Sequence, residues 1–291
     1  ESSLEALDKN DLELARSVPG IDIIFGGHSH DYHPDMARMG GTLIVNGGEK
    51  GPYLVRLDVL VDSYGRMDLE NADYRLIPVT ADVVPDEAVE AKLASYQELF
   101  PEAVVLGRTD VEWNMTKEVV REGESPVANL VSDHMRAKFK ADVVVNNAGA
   151  FRGKKVYEAG PISDVMLHEI DEFSNYAYTL DIEGLYLKEI LEHGAACFGE
   201  GGFLQVAGLR YVIDLSEPAQ TMEEGADGGW LVATPGSRVR DAEVLDESGR
   251  WLPLNPERSY RVLSNSFMVK DAGDGYFWFK KHGSNLVNTY S

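Results

Sequence analysis

Ala141-Asp142-Val143-Val144-Val145-Asn146-Asn147-Ala148-Gly149-Ala150-Phe151-Arg152 sets a short apolar run against a loop of small residues that ends in a guanidinium. The valine run reads as a buried strand. Just upstream, Ser125-Pro126 has the form of a helix start, serine as N-cap and proline at the first helical position, with the helix predicted to reach about Lys140. Helix, buried strand and loop in that order define an α/β unit, and α/β sheets bind ligands beyond the carboxyl ends of their strands. In this loop Arg152 offers a rigid fork of donors to ribose hydroxyls, carboxylate or phosphate, and Asn147 offers both a donor and an acceptor to a base edge. Taken alone, the same residues also describe an asparagine turn followed by a surface arginine.

Working outward, residues 185–195 are predicted as a second helix and residues 203–214 as one long strand. Residues 217–236, rich in Gly, Glu and Pro, read as an exposed insertion or flexible loop. Strands near residues 238–245 and 259–264 precede the glycine-rich Asp271-Ala272-Gly273-Asp274-Gly275-Tyr276. Two aromatics stand out. Phe173 lies in the polar Asp171-Glu172-Phe173-Ser174-Asn175, and Phe267 stands just before the glycine-rich segment. Brought together they could hold a purine, with stacking contributing about 1–3 kcal/mol per base; kept apart they are two core phenylalanines.

On the amino-terminal side, residues 4–18 carry helical spacing through Leu4, Leu7, Leu12 and Val18, ended by Pro19-Gly20. The apolar Ile21-Asp22-Ile23-Ile24-Phe25 then opens into Gly26-Gly27-His28-Ser29-His30. Neutral imidazole is the commonest metal ligand, so the turn reads as half of a metal site, or else as a glycine turn with two solvated histidines. His33, close by, is expected at the surface, and His134, His168, His193 and His282 are expected as surface or packing residues. Strands follow at residues 42–45, 53–61 and 67–79, then a helix from Pro85 to Phe100 with Val89, Leu93, Tyr96 and Leu99 on one side. That helix is the candidate linker.

At 291 residues the chain has room for two domains, and its hydrophobic and charged fractions of 44% and 26% are those of a globular protein. A net charge of -22 would repel a nucleic acid polymer, and a phosphorylated small molecule would need local cations to reverse the field. No apolar stretch approaches the ~20 residues that span a bilayer. The single Cys197 excludes an internal disulfide and reads as a buried helix residue rather than a nucleophile.

Together these motifs resemble the 5'-nucleotidase family of two-domain metallophosphoesterases. Gly26-Gly27-His28-Ser29-His30 is similar to the last metal-ligand motif of its catalytic domain. Glu124-Ser125-Pro126-Val127-Ala128-Asn129-Leu130, Asn147 to Arg152, Gly201-Gly202-Phe203-Leu204-Gln205-Val206-Ala207-Gly208-Leu209-Arg210 and Gly273-Asp274-Gly275-Tyr276 are similar to its substrate domain. The resemblance implies an α/β fold: a remnant of a metallophosphatase α/β sandwich over residues 1–80, a linker helix over 81–103, and a 5'-nucleotidase C-terminal-type α/β domain over 104–291.

It further implies that His28 and His30 each contact one of two divalent metal ions (Zn, Mn, Co or Mg) in the intact enzyme, with no metal held by this chain alone. Arg121, Asn147 and Arg152 would bind the nucleoside, Phe173 and Phe267 would sandwich the base, and Asp274 would hold ribose hydroxyls. The reaction implied is hydrolysis of nucleoside 5'-monophosphates. A non-catalytic nucleoside-binding module, or a phosphoesterase for nucleotide sugars or 2',3'-cyclic nucleotides, is the alternative. The partner is then a small nucleotide or nucleoside, with no membrane-spanning segment and an open oligomeric state, and the location periplasmic, cell-surface or extracellular. Three departures stand out. The family's earlier metal ligands would precede Glu1, Phe267 precedes Asp274 by one residue more than the family's usual spacing, and Ser284-Asn285-Leu286-Val287-Asn288-Thr289 resembles the start of a terminal segment that normally continues into another helix, so the chain is expected to be cut at both ends.

Overall fold

Val143, Val144 and Val145 are fully buried, because the strand they form has neighbours on both edges and helices on both faces. The computed structural model describes residues 9–28, 31–97, 99, 102–225 and 229–289. The chain divides into two units, residues 1–101 and 102–291.

The first unit begins with α1 (Lys9–Ser17), β1 (Ile23–Phe25), β2 (Ala37–Met39) and β3 (Thr42–Val45). Leu4 and Leu7 of the expected first helix lie outside the described residues. β3 is central, parallel to β1 and antiparallel to β2, and Ala15, Ile24, Ala37 and Ile44 pack into a small core beneath it. A hairpin follows, β4 (Tyr53–Val61) against β5 (Met67–Pro78). α2 (Glu87–Gln97) starts at Asp86, whose Oδ1 accepts from the Ala88 and Val89 amides. None of its residues is buried: Val89, Leu93 and Tyr96 are all exposed.

The second unit runs β6 (Val105–Thr109), β7 (Trp113–Asn114), α3 (Lys117–Glu122), α4 (Pro126–Phe139), β8 (Val143–Asn147), β9 (Val156–Tyr157), β10 (Gly160–Ser163) and α5 (Asp164–Ile170). It continues with β11 (Ala177–Glu183), α6 (Gly184–Ala196), β12 (Leu204–Ala207), β13 (Leu209–Ile213), β14 (Thr221–Glu224) and β15 (Trp230–Thr234). Last come β16 (Val239–Leu245), β17 (Trp251–Pro253), β18 (Ser259–Asn265), α7 (Ser266–Asp271), α8 (Trp278–His282) and β19 (Ser284–Asn288).

The main sheet has the order β12-β8-β18-β11-β19, with β8 and β18 parallel and the other pairs antiparallel. Strand alternation divides the valines between two layers. Val143 and Val145 join the large core with Leu187, Leu191 and Trp278, while Val144 packs with Leu263, Met135 and Phe139. Each fully buried aliphatic side chain contributes about 1.5–3 kcal/mol, so the three valines anchor β8 between the two layers. A separate cluster of Trp113, Met115, Val120, Val127, Ala148, Met166, Ile170 and Phe203 fastens α3, α5 and the loop after β8 to one another. As predicted, Ser125 caps α4, its side chain accepting from the Ala128 amide.

Two expectations fail. Residues 203–214 are not one strand: Gly208, at φ +67, breaks the run so that β12 stays in the main sheet while β13 pairs with β16 in another. Residues 217–236 are not a featureless loop, because β14 and β15 form a hairpin whose Met222 and Val232 pack against the large core. A side chain at Gly208 would combine left-handed strain with a Cβ only 2.2 Å from Arg136 Nε and 2.4 Å from the Asp142 carbonyl oxygen. Gly208→Ala is therefore expected to destabilise the unit by about 2–4 kcal/mol, read as a lowered urea midpoint.

Candidate functional site

β11 and β18 pair with Ala177 opposite Asn265, so the chain entering β11 and the chain leaving β18 meet at one end of the sheet. Ser266 ties them together. Its amide donates to the Tyr176 carbonyl at 2.7 Å, its hydroxyl accepts from the Tyr176 amide at 3.2 Å, and the same hydroxyl donates to Asn175 Oδ1 at 2.9 Å. Phe173 lies just before this tie and Phe267 just after it. Both rings are unusually open, at 55% and 37% exposed.

The parallel neighbour β8 delivers Asn147 to the same end. Asn147 is 4% exposed, and its amide is used on both sides: Oδ1 accepts from Asn265 Nδ2 at 2.9 Å and Nδ2 donates to Asp274 Oδ2 at 2.7 Å. Asp274 sits in the glycine turn at φ +52, a left-handed conformation, and its side chain remains exposed. His193 holds that turn from beneath. Its Nε2 lies 2.7 Å from the Asp274 carbonyl oxygen, which can only accept, so Nε2 carries the proton. Phe267 covers Gly273 so closely that a Cβ there would lie 2.3 Å from the ring.

The cations come from α3 and the loop after β8. Burial and the neighbouring Arg152 guanidinium push Arg121 below its usual value, with Glu200 and Asp274 acting the other way. Two guanidiniums are thus brought near one another in a chain of net charge -22, with Glu172, Glu200 and Asp274 as their carboxylate neighbours. Arg152 also lies over the Phe173 ring at 5.1 Å and pairs with Glu172 at 3.3 Å. Its backbone amide donates to the Ile170 carbonyl, which fixes the loop against the end of α5.

Sequence reasoning named these six side chains but missed Asn175, His193, Asn265 and Ser266, which position them. Asn265 carried a usable signal, since it caps α7 by accepting from the Met268 amide. His193, expected as a surface or packing residue, is buried and packs under Asp274. Cys197 lies just past the end of α6 rather than within it, half-buried and with its thiol pushed up to about 11 by burial, which suits an unreactive side chain.

In the first unit His28 occupies the glycine turn at φ +66 and is exposed, and His30 lies outside the described residues. Among the described residues no three His, Cys, Asp or Glu side chains converge as a metal site. The described residues thus do not by themselves make up a metal centre. His33 is not at the surface. It is 4% exposed, because its amide pairs with the Asn46 carbonyl and its own carbonyl accepts from the Tyr74 hydroxyl.

Residues 105–281 match the 5'-nucleotidase, C-terminal domain family, and the chain belongs to it. It is 29% identical over 289 residues to the trifunctional nucleotide phosphoesterase protein YfkN of Bacillus subtilis, covering 95% of this chain and 18% of that protein. To the snake venom 5'-nucleotidase of Macrovipera lebetinus it is 26% identical, covering 94% and 72% respectively. The crystal structure of the 5'-nucleotidase precursor from Thermus thermophilus superposes with a TM-score of 0.70 at 30% identity, covering 96% of this chain and 56% of that one. The chain thus spans a small part of the first relative and about half of the solved structure. The mixed α/β fold agrees with these neighbours, and the family is one of nucleotide hydrolases.

Burial pushes His193 below its ordinary value of 6.5, so the native state holds it neutral and the unfolded chain takes up the proton first as pH falls. The associated stabilisation is complete above that ordinary value and is lost as pH drops through the lower folded-state one. Between about pH 7.5 and pH 5 the melting temperature of the native sequence is expected to fall more steeply than that of His193→Gln, as followed by circular dichroism.

Proposed function

We propose that this chain carries the nucleotide-recognition part of a 5'-nucleotidase that, as a whole protein, hydrolyses nucleoside 5'-monophosphates to nucleoside and phosphate. The observation that carries the reading is the Asn265–Asn147–Asp274 hydrogen-bond chain, flanked by two arginines and two open phenylalanines. In this reading Phe173 and Phe267 stack on the base, Asn147 and Arg121 contact the nucleoside, and Arg152 both braces Phe173 and faces the ligand. Asp274 binds ribose hydroxyls: Asn147 occupies Oδ2, which leaves Oδ1 to accept from the sugar.

The division proposed is residues 1–80 as part of a metallophosphatase domain, 81–103 as linker and 104–291 as the substrate domain. Two divalent metals in the whole protein would generate the attacking hydroxide and polarise the phosphoryl group. His28 and His30 would be this chain's contributions to holding them. The trifunctional nucleotide phosphoesterase relative is consistent with more than one nucleotide substrate, and nucleotide sugars or 2',3'-cyclic nucleotides stand as alternatives on the resemblance alone. A secreted or cell-surface location fits the venom relatives, and among the described residues no helix is long and apolar enough to cross a membrane.

Calorimetry with adenosine tests the recognition site directly. Binding is expected, and since one stacked aromatic contributes about 1–3 kcal/mol, Phe173→Ala should weaken it roughly 5- to 150-fold. No heat at millimolar adenosine, or an unchanged affinity in the variant, would count against the site.

A further inference from the structure

Asp274 is exposed, yet its backbone holds φ +52, a left-handed conformation that a residue with a Cβ adopts only at a cost. Such strain persists where the surroundings fix it, and it gathers at ligand clamps. Three contacts fix this turn. Asn147 Nδ2 donates to the Asp274 carboxylate at 2.7 Å, His193 Nε2 donates to the Asp274 carbonyl at 2.7 Å, and the buried Tyr276 donates its hydroxyl to the Gly202 carbonyl. The first holds the side chain, whereas the other two hold the main chain that carries it.

His193 is built into a firm base. It sits in the last turn of α6, whose Leu187, Ile190 and Leu191 are fully buried, so the ring stands on a helix fastened into the large core. The ring itself is 8% exposed and meets Tyr276 edge-on at 4.7 Å, with the Trp278 ring at 5.5 Å. It also closes on the residue after Asp274, where a Cβ at Gly275 would lie 3.1 Å from Nε2. An apolar side chain of similar size would satisfy the packing. What imidazole adds is an N–H aimed at the carbonyl of the very residue that carries the exposed carboxylate.

We infer that His193 is a positioning residue of the sugar subsite, and that it sets how strongly the chain prefers nucleosides with free ribose hydroxyls over those without them. The inference rests on the nucleoside reading above. With its carbonyl and Oδ2 both held, Asp274 presents Oδ1 in one direction, and a sugar hydroxyl meets an acceptor already in place. With the carbonyl released, the carboxylate keeps only its bond to Asn147 and pivots about it, so the same hydroxyl must order the turn as it binds. His193 touches no ligand and acts through Asp274. Stacking of the base does not pass through this link.

Calorimetry with adenosine and 2',3'-dideoxyadenosine tests this on the native chain, His193→Gln, His193→Leu and Asp274→Ala, with His193→Leu also placed in the Asp274→Ala background. The native chain is expected to bind adenosine about tenfold or more tighter than the dideoxy compound, as a hydrogen bond to a charged acceptor allows. His193→Gln, whose amide can reach the same carbonyl, should keep that preference. His193→Leu should bring the two compounds to nearly equal affinity while dideoxyadenosine binds as before. In the Asp274→Ala background His193→Leu should change neither affinity, because the residue it acts through is gone. If the leucine variant does not fold, His193→Asn carries the same test: its shorter amide withdraws the donor, and the preference should again fall. A preference that survives loss of the donor would overturn the inference and leave the nucleoside site standing, and so would an equal loss of affinity for both compounds. Failure of the native chain to bind adenosine at all would remove the underlying reading.

Discussion

The side-chain amide of Asn147 is the constraint on which the second unit's site depends. It is buried, it can donate and accept at once, and it spends one function on Asn265 and the other on Asp274. A hydrocarbon of the same shape would leave the buried Asn265 amide without its acceptor, at a cost of about 1–3 kcal/mol, and would release the exposed Asp274 carboxylate to water. A carboxylate in its place would repel Asp274. Asparagine is thus the residue that couples the end of β8 to both the end of β18 and the glycine turn.

Electrostatics bears on what the proposed site could admit. The chain as a whole repels anions, yet the Arg152 guanidinium stands close enough to Arg121 to act against its charge. In the proposed reading the two guanidiniums would turn to anionic or hydroxyl oxygens of a small ligand, while the net charge keeps polyanions from the remaining surface. Glu172, Glu200 and Asp274 are their carboxylate neighbours in the chain itself.

Much of this was legible in the sequence because the residues involved obey local rules. The valine run, the Ser125-Pro126 cap and the asparagine-to-arginine loop each have a short-range physical meaning, and the structure places a strand, a capped helix and a loop there. What was not legible depends on partners far along the chain. Gly208 looks like any strand glycine until Arg136 and the Asp142 carbonyl crowd it, and His193 looks like a helix-face residue until the turn at Asp274 is laid over it. The hairpin at β14 and β15 was hidden by composition: turn-forming residues dominate the segment, with Met222 and Val232 the apolar side chains described there that pack on the large core. The metal-ligand reading of His28 and His30 began from the glycine turn itself and was sharpened by the resemblance, and the described residues add no further ligands to it.

The Ser266 tie makes the gap between the two aromatic rings a matter of strand register. Each residue of slippage between β11 and β18 would shift one ring by roughly 3.3 Å along the strand, about the thickness of a base. Loops on the ring side of the tie can change composition freely, whereas a change of length inside it would misalign the clamp. The stretch from Phe267 to Asp274 lies on the far side of that tie from the strands, and α7 ends there at Ala272 in a left-handed cap. In the proposed clamp, diversification toward new ligands would therefore proceed by replacing side chains on the two loops, with insertions confined to the glycine turn that would meet the sugar.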